Sequence, residues 1–261
     1  MADHKIAPEH MQQLKAAKHA LENVGVAIQI ANVIGTPIEK AIERLPKSWQ
    51  ENIVGISRDA LQKAADVAIW TINPATPLPT KDLLHKLAVS VTGAVGGAFG
   101  LPALAIELPI STTIMLRSIA DIARCEGEDL RTPKAKLACL EVFALGGRTS
   151  SDDAAESAYY LARAALGKAV TEAAEYLAKG GAEAAAPPLL RFITRVAARF
   201  QIQVTEKAAV LAAPIVGAAG GALINNFFMS HFQNMARGHF TVRRLERTYS
   251  PALIEAAYYD L

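Results

Sequence analysis

Aromatic residues make up only 6% of this chain, although 51% of its 261 residues are hydrophobic. Ala, Val, Leu and Ile therefore supply most of the apolar character. Such a composition favours helices packed closely through small side chains and makes a poor sheet. Only two cysteines occur, Cys125 and Cys139, and they form no metal-ligand pattern. They are expected to be buried reduced thiols, which suits a cytosolic compartment. The formal charge of +2 gives non-specific nucleic-acid binding little electrostatic support, so no nucleic-acid partner is expected. The opening MADHKIAPEHMQQLK lacks an apolar run and does not read as a secretory signal.

Chemical motifs are equally scarce. There is no GxSxG nucleophile turn, no HExxH pair, and GAVGGAFG (93–100) lacks the Gly-Lys-Ser/Thr ending of a phosphate loop. His231 and His239 lie eight residues apart, about 12 Å along a helix, too far to share one ion. His239 is expected to cap or hydrogen-bond near Gly238. No metal and no cofactor are expected.

What is present is helical periodicity. Residues 9–34 carry Leu14, Ala17, Leu21, Val24 and Ile28 at three- and four-residue spacing. A second long helix is expected over Trp49–Trp70, and others over 152–179 and 188–206. TINPATPLPTKD (71–82), with Pro74, Pro77 and Pro79, reads as a linker. It divides an N-terminal helical segment, 1–80, from a second helical domain, 81–261.

Two uncharged runs dominate that second part, Leu87–Ile106 and Ala208–Ala236. Both reach the length of a membrane-spanning helix, and mean hydropathy is +0.19. Pro102 and Pro214 interrupt them, and Ala and Gly outnumber Leu and Phe. The alternatives are a buried hairpin of a soluble domain and a hairpin that inserts shallowly in a membrane. The patches GAVGGA (93–98) and GAAGGA (217–222) suggest an internal duplication. The fold expected is all-α, a multi-helix bundle around this Gly/Ala-rich central hairpin. Glu107, ending the first run, reads as a water-edge marker ahead of a functional acid.

Polar stripes follow both runs. Arg117, Asp121, Arg124 and Glu128 alternate in charge at i, i+4, i+7 and i+11. This is either a solvated, salt-bridged face or a buried ionic network. Asn226, Ser230, Gln233, Arg237, Thr241 and Arg244 make a second stripe, placing Arg237 to meet Asp121 or Glu128. The cluster HFQNMARGHFTVRRLER (231–247) suits either a membrane interface with anionic headgroups or internal pairing with carboxylates.

The motifs GAVGGAFGLPALAIELPISTTIMLRSIADIARCEGEDL (93–130), CLEVFALGG (139–147), ESAYYLARAAL (156–166) and HFQNMARGHFTVRRLER (231–247) resemble the EcsC protein family. The resemblance covers roughly residues 84–250. The family takes its name from a gene in a bacterial operon that also encodes an ABC transporter, which implies membrane or transport biology. It carries over no catalytic residue. The polar positions within its motifs include Glu126, Asp129, Glu141, His231, Arg243 and Glu246.

The function expected is therefore interaction, at the inner face of the membrane, with lipid or a membrane protein such as an ABC transporter. Arg117, Arg124, Gln233, Arg237, Arg243 and Arg244 are the binding candidates. The alternative is a hydrolase acting on a lipid or membrane-derived substrate. Its catalytic candidates are Asp121 and Glu128 as acid/base, with Arg237 or His239 binding an anionic group.

Overall fold

The computed structural model describes residues 6–22, 38–70, 89, 101–146, 158–181, 183, 185–212 and 218–261. Among these the chain forms nine α-helices and no strand, confirming the all-α class. They are α1 (Pro8–Glu22), α2 (Ile38–Glu43), α3 (Lys47–Trp70), α4 (Leu101–Cys125), α5 (Pro133–Glu141), α6 (Ala158–Ala178), α7 (Pro187–Leu211), α8 (Ala218–Thr248) and α9 (Pro251–Tyr259). A 3₁₀ turn, Val142–Ala144, follows α5. The linker 71–82, the patch 93–98, the continuation of α1 beyond Glu22, and the start of the helix expected over 152–179 all lie outside the described residues. So does most of the first hairpin arm, and with it the first half of the suggested duplication.

The helices begin and end where their termini are satisfied. Thr132 caps α5 by accepting the Ala135 N–H at 3.3 Å, and Pro133 occupies the first turn, where its missing N–H costs nothing. Ser250 and Pro251 start α9 in the same way. α4 stops at a Schellman turn. Gly127, at φ +79, donates to Arg124, and Glu128 N–H donates to the Ala123 carbonyl at 3.0 Å. A left-handed residue is needed there, and glycine takes it without steric cost. The turn aims Glu128 back toward α8.

Burial follows the helical period. In α3 the inward set is Ile53, Ser57, Ala60, Leu61, Ala64 and Ala65; in α1 it is Leu14, Ala17 and Leu21. α3 packs on α4 and α7, α2 on α7, α6 on α7, and α1 on α8. Phe143, Phe200 and Phe232 join the 3₁₀ turn, α7 and α8, with ring centroids 5.0–5.8 Å apart. Small residues permit close approach. A Cβ on Gly238 would stand 2.7 Å from Leu21 Cγ and 3.0 Å from the Ala17 carbonyl oxygen, so glycine here lets α1 lie directly on α8.

α8 is the axial element, 31 residues and so about 46 Å long. α4 runs beside it in the same direction. Asn225 meets Glu107 near their starts, Gln233 meets Ser118 midway, and Arg243 meets Glu128 at the far end. That register fixes which residues share a level along the bundle.

Candidate functional site

Polar side chains cross between α8 and its neighbours at three levels, and each level is solved differently.

At the first, Glu107 of α4 and Lys207 of α7 form an ion pair of 2.5 Å. Both are almost wholly buried, as is Asn225 of α8. The Asn225 amide donates to the other Glu107 oxygen at 2.7 Å and to the Val89 carbonyl at 2.9 Å. Lys207 Nζ also lies 5.6 Å from the centre of the Phe228 ring. Burial alone would push the Glu107 carboxyl up. Lys207, with hydrogen bonds from Asn225 and Ser111, outweighs it and holds the group below the usual carboxylate range. Glu107 is thus no water-edge marker. It turns inward because a cation and two donors await it.

At the second level, Gln233 of α8 donates to Ser118 Oγ of α4 at 2.9 Å, both buried. The third level carries the arginine-rich cluster. Arg243 grips Glu128 with both nitrogens, at 2.8 and 3.1 Å, and Arg247 donates to the same carboxylate. Arg244 reaches Glu126 at 2.7 Å and Gln13 of α1 at 3.1 Å. Burial pushes Glu128 up, but the two guanidiniums more than reverse this and keep it ionised. The expected meeting of Arg237 with Glu128 does not form. Arg237 is exposed and donates to Asn234 at 3.2 Å. Glu128 sits past the end of α4, on the Schellman turn, and so faces Arg243 and Arg247.

The Arg117–Asp121–Arg124 face lies outward. Arg117 is exposed, and Arg124 pairs with Asp121 three residues back on the same helix. This part of the stripe is a salt-bridged outer face, exposed at Arg117 and half-buried at Asp121 and Arg124.

Beside the third level is a network that the spacing of charges does not reveal. Arg163 of α6 holds Glu246 at 2.6 and 3.0 Å and donates to Tyr159 Oη at 3.3 Å. Tyr159 Oη also shares a hydrogen bond with His239 Nδ1, 3.1 Å away. The other ring nitrogen, Nε2, lies 4.0 Å from the Glu141 carboxylate, too far for a hydrogen bond. Burial, with Arg243 and Arg163 nearby, holds His239 well below its ordinary range, so it is neutral. Burial raises Glu141 and the Tyr159 hydroxyl above theirs. His239 stands mid-helix, so it caps nothing; its role is this chain of hydrogen bonds. His231 is separate, also buried, with a backbone hydrogen bond at Leu145 and a value lowered by burial to about 4.

Of the cysteines, Cys139 is buried and its thiol is pushed up by that burial, whereas Cys125 is exposed, contrary to expectation. Both are free. Among the described residues no three His, Cys, Asp or Glu are grouped to hold a metal ion.

Sequence reading set Arg237 against Glu128, where Arg243 and Arg247 stand instead, and it missed Lys207, Asn225, Tyr159 and Arg163. Lys207 did carry a signal, since it opens one uncharged run and Glu107 closes the other. Tyr159 and Arg163 lie within ESAYYLARAAL, whose register toward α8 is a tertiary fact.

The fold and these seams define an all-helical bundle with its charges paired across α4, α7 and α8. A model of the EcsC protein family matches residues 8–245, and the chain belongs to that family. The match begins within α1 and so takes in the N-terminal helices as well. No curated protein and no solved structure matches the chain.

Proposed function

We propose that this protein is membrane-associated and acts by interaction, held at the cytoplasmic face of a membrane by the apolar end of its bundle. The observation that carries this reading is the outward face of α4. Ile106 is 72% exposed and Ile110 48%, and Pro102 and Ala105 are exposed beside them. Leu223 of α8, at the same level, is 49% exposed. Large aliphatic side chains gathered at one end mark an interaction surface more often than isolated ones do. They continue directly from the uncharged run 87–106.

Pro102–Cys125 is long and apolar enough to cross a bilayer, although a core helix passes the same test. The buried Glu107–Lys207 pair ties α4 to α7 and favours peripheral seating over a span. The arginines of 243–247 are held by carboxylates of the fold, so the contact is assigned to the apolar end and not to the arginine cluster. The hydrolase alternative gave Glu128 an acid/base role. Two guanidiniums holding that carboxylate ionised leave it a poor proton donor, which supports interaction over catalysis.

The interaction partner is lipid or a membrane protein such as an ABC transporter. Cell fractionation with a carbonate wash tests the association. Protein in the membrane pellet that carbonate releases supports peripheral attachment. Protein wholly in the soluble pool refutes it.

A further inference from the structure

We propose that the outward face of α4 is a phospholipid-interface site, in which Ile106 and Ile110 enter the acyl region and Arg117 meets lipid phosphate. This rests on the membrane association above and names its partner.

Pro102, Ile106, Ile110, Thr113, Arg117, Asp121 and Arg124 fall on one side of α4 by helical spacing. The face changes character along its length. Pro102, Ile106 and Ile110 are exposed and apolar. Thr113, next in line, directs its hydroxyl back to the Pro109 carbonyl at 2.9 Å. It therefore spends its donor within the helix. Arg117 follows, exposed, with no ion-pair partner among the described residues. Beyond it Asp121 is paired with Arg124, so Arg117 is the charge left to the surface.

The spacing suits a bilayer interface. Arg117 lies about 10 Å along the axis from Ile110 and about 16 Å from Ile106. Interfacial helices bury their apolar side about 5–10 Å into the headgroup–acyl boundary. With Ile106 and Ile110 at that depth, the flexible Arg117 side chain reaches the phosphates. Leu223 of α8 stands at the Ile106 level, because Asn225 meets Glu107. A protein partner would be expected to find side-chain donors and acceptors between Pro102 and Thr113. A lipid surface needs none.

Vesicle flotation of the full chain tests this, using phosphatidylcholine vesicles with and without phosphatidylglycerol. The expected result is tighter binding to the anionic vesicles. Arg117→Gln should lose about fivefold of that affinity, the factor equivalent to about 1 kcal/mol per arginine near an anionic surface. Its binding to phosphatidylcholine alone, where choline balances each phosphate charge, should fall by less. Ile106→Asp with Ile110→Asp should lose binding to both. Both variants alter exposed positions, and circular dichroism would establish that each is folded. If Arg117→Gln binds anionic vesicles like wild type while the Ile106/Ile110 variant does not, the phosphate assignment falls and the membrane reading stands. If wild type floats with neither vesicle yet sediments with native membranes, the partner is a membrane protein and the lipid site is overturned.

Discussion

Glu107 and Lys207 stand 100 residues apart in the sequence and meet at 2.5 Å in the core, with Asn225 closing the carboxylate's other oxygen. Two charges that bound the longest uncharged stretches of the chain thus neutralise one another between three helices. The pair sits immediately inside the exposed Ile106, so the exposed apolar side of α4 is fastened from behind.

Breaking that pair is expected to be costly, because one charge would be left buried alone. Lys207→Ala or Glu107→Ala should each lower stability by about 3–5 kcal/mol in chemical denaturation. Glu107→Leu combined with Lys207→Met should recover most of the loss, since well-packed apolar pairs replace buried ion pairs at little cost. A double variant no better than either single one would show that the charges serve a need besides neutralising each other.

Acid should weaken the fold through His231. Its folded value, about 4, lies below the ordinary 6.5, so the unfolded chain binds more protons between those values. Stability from this residue is complete above pH 6.5 and is lost as pH falls toward 4, by about 3 kcal/mol in all. His239, lowered by the same burial, acts in the same direction. Denaturation midpoints measured from pH 7 to 4 should fall less steeply in His231→Gln than in wild type.

Glu206 works in the opposite sense. Burial, then the neighbouring Glu39, raises it from 4.5 to about 7. The folded state here holds its proton more tightly, so stability declines as pH rises from 4.5 through 7. Glu206→Gln should therefore stabilise the protein at pH 8, by about 2–3 kcal/mol, and change little at pH 4.5. Equal effects at both pH values would show that the gain is not electrostatic.

Gly238→Ala pits propensity against packing. Alanine favours a helix interior over glycine by about 1 kcal/mol. Against that, the new methyl meets the Ala17 carbonyl at 3.0 Å, backbone that yields poorly, and Leu21 Cγ at 2.7 Å. Overpacking typically costs about 1–3 kcal/mol, so a net loss is expected. Limited proteolysis should cut nearer the N-terminus in this variant, because the strain loosens α1.

How far the sequence showed all this depends on range. Helices with a clear period were legible, Leu14, Ala17 and Leu21 being the buried side of α1 as spaced. The polar face of α4 was legible too, because Arg117, Asp121 and Arg124 share one side of a single helix and Asp121 pairs with Arg124 within it. Pairings between helices were not. Arg243 rather than Arg237 reaches Glu128 because the Schellman turn carries Glu128 past the end of α4, and no periodicity encodes that displacement. Tyr159 and His239 are joined by helix packing across 80 residues. Glu107 reads as a surface carboxylate until Lys207 is known to face it.

The proposed membrane seating can be tested position by position. In a Cys125→Ser background, and with buried Cys139 left in place, Ile106→Cys and Arg131→Cys would each carry an environment-sensitive fluorophore. Arg131 is exposed beyond the far end of α4. On adding inverted native membrane vesicles, the label at 106 should shift to the blue and the label at 131 should not. A shift at 131 with none at 106, or no shift at either, would contradict attachment through the apolar end of α4.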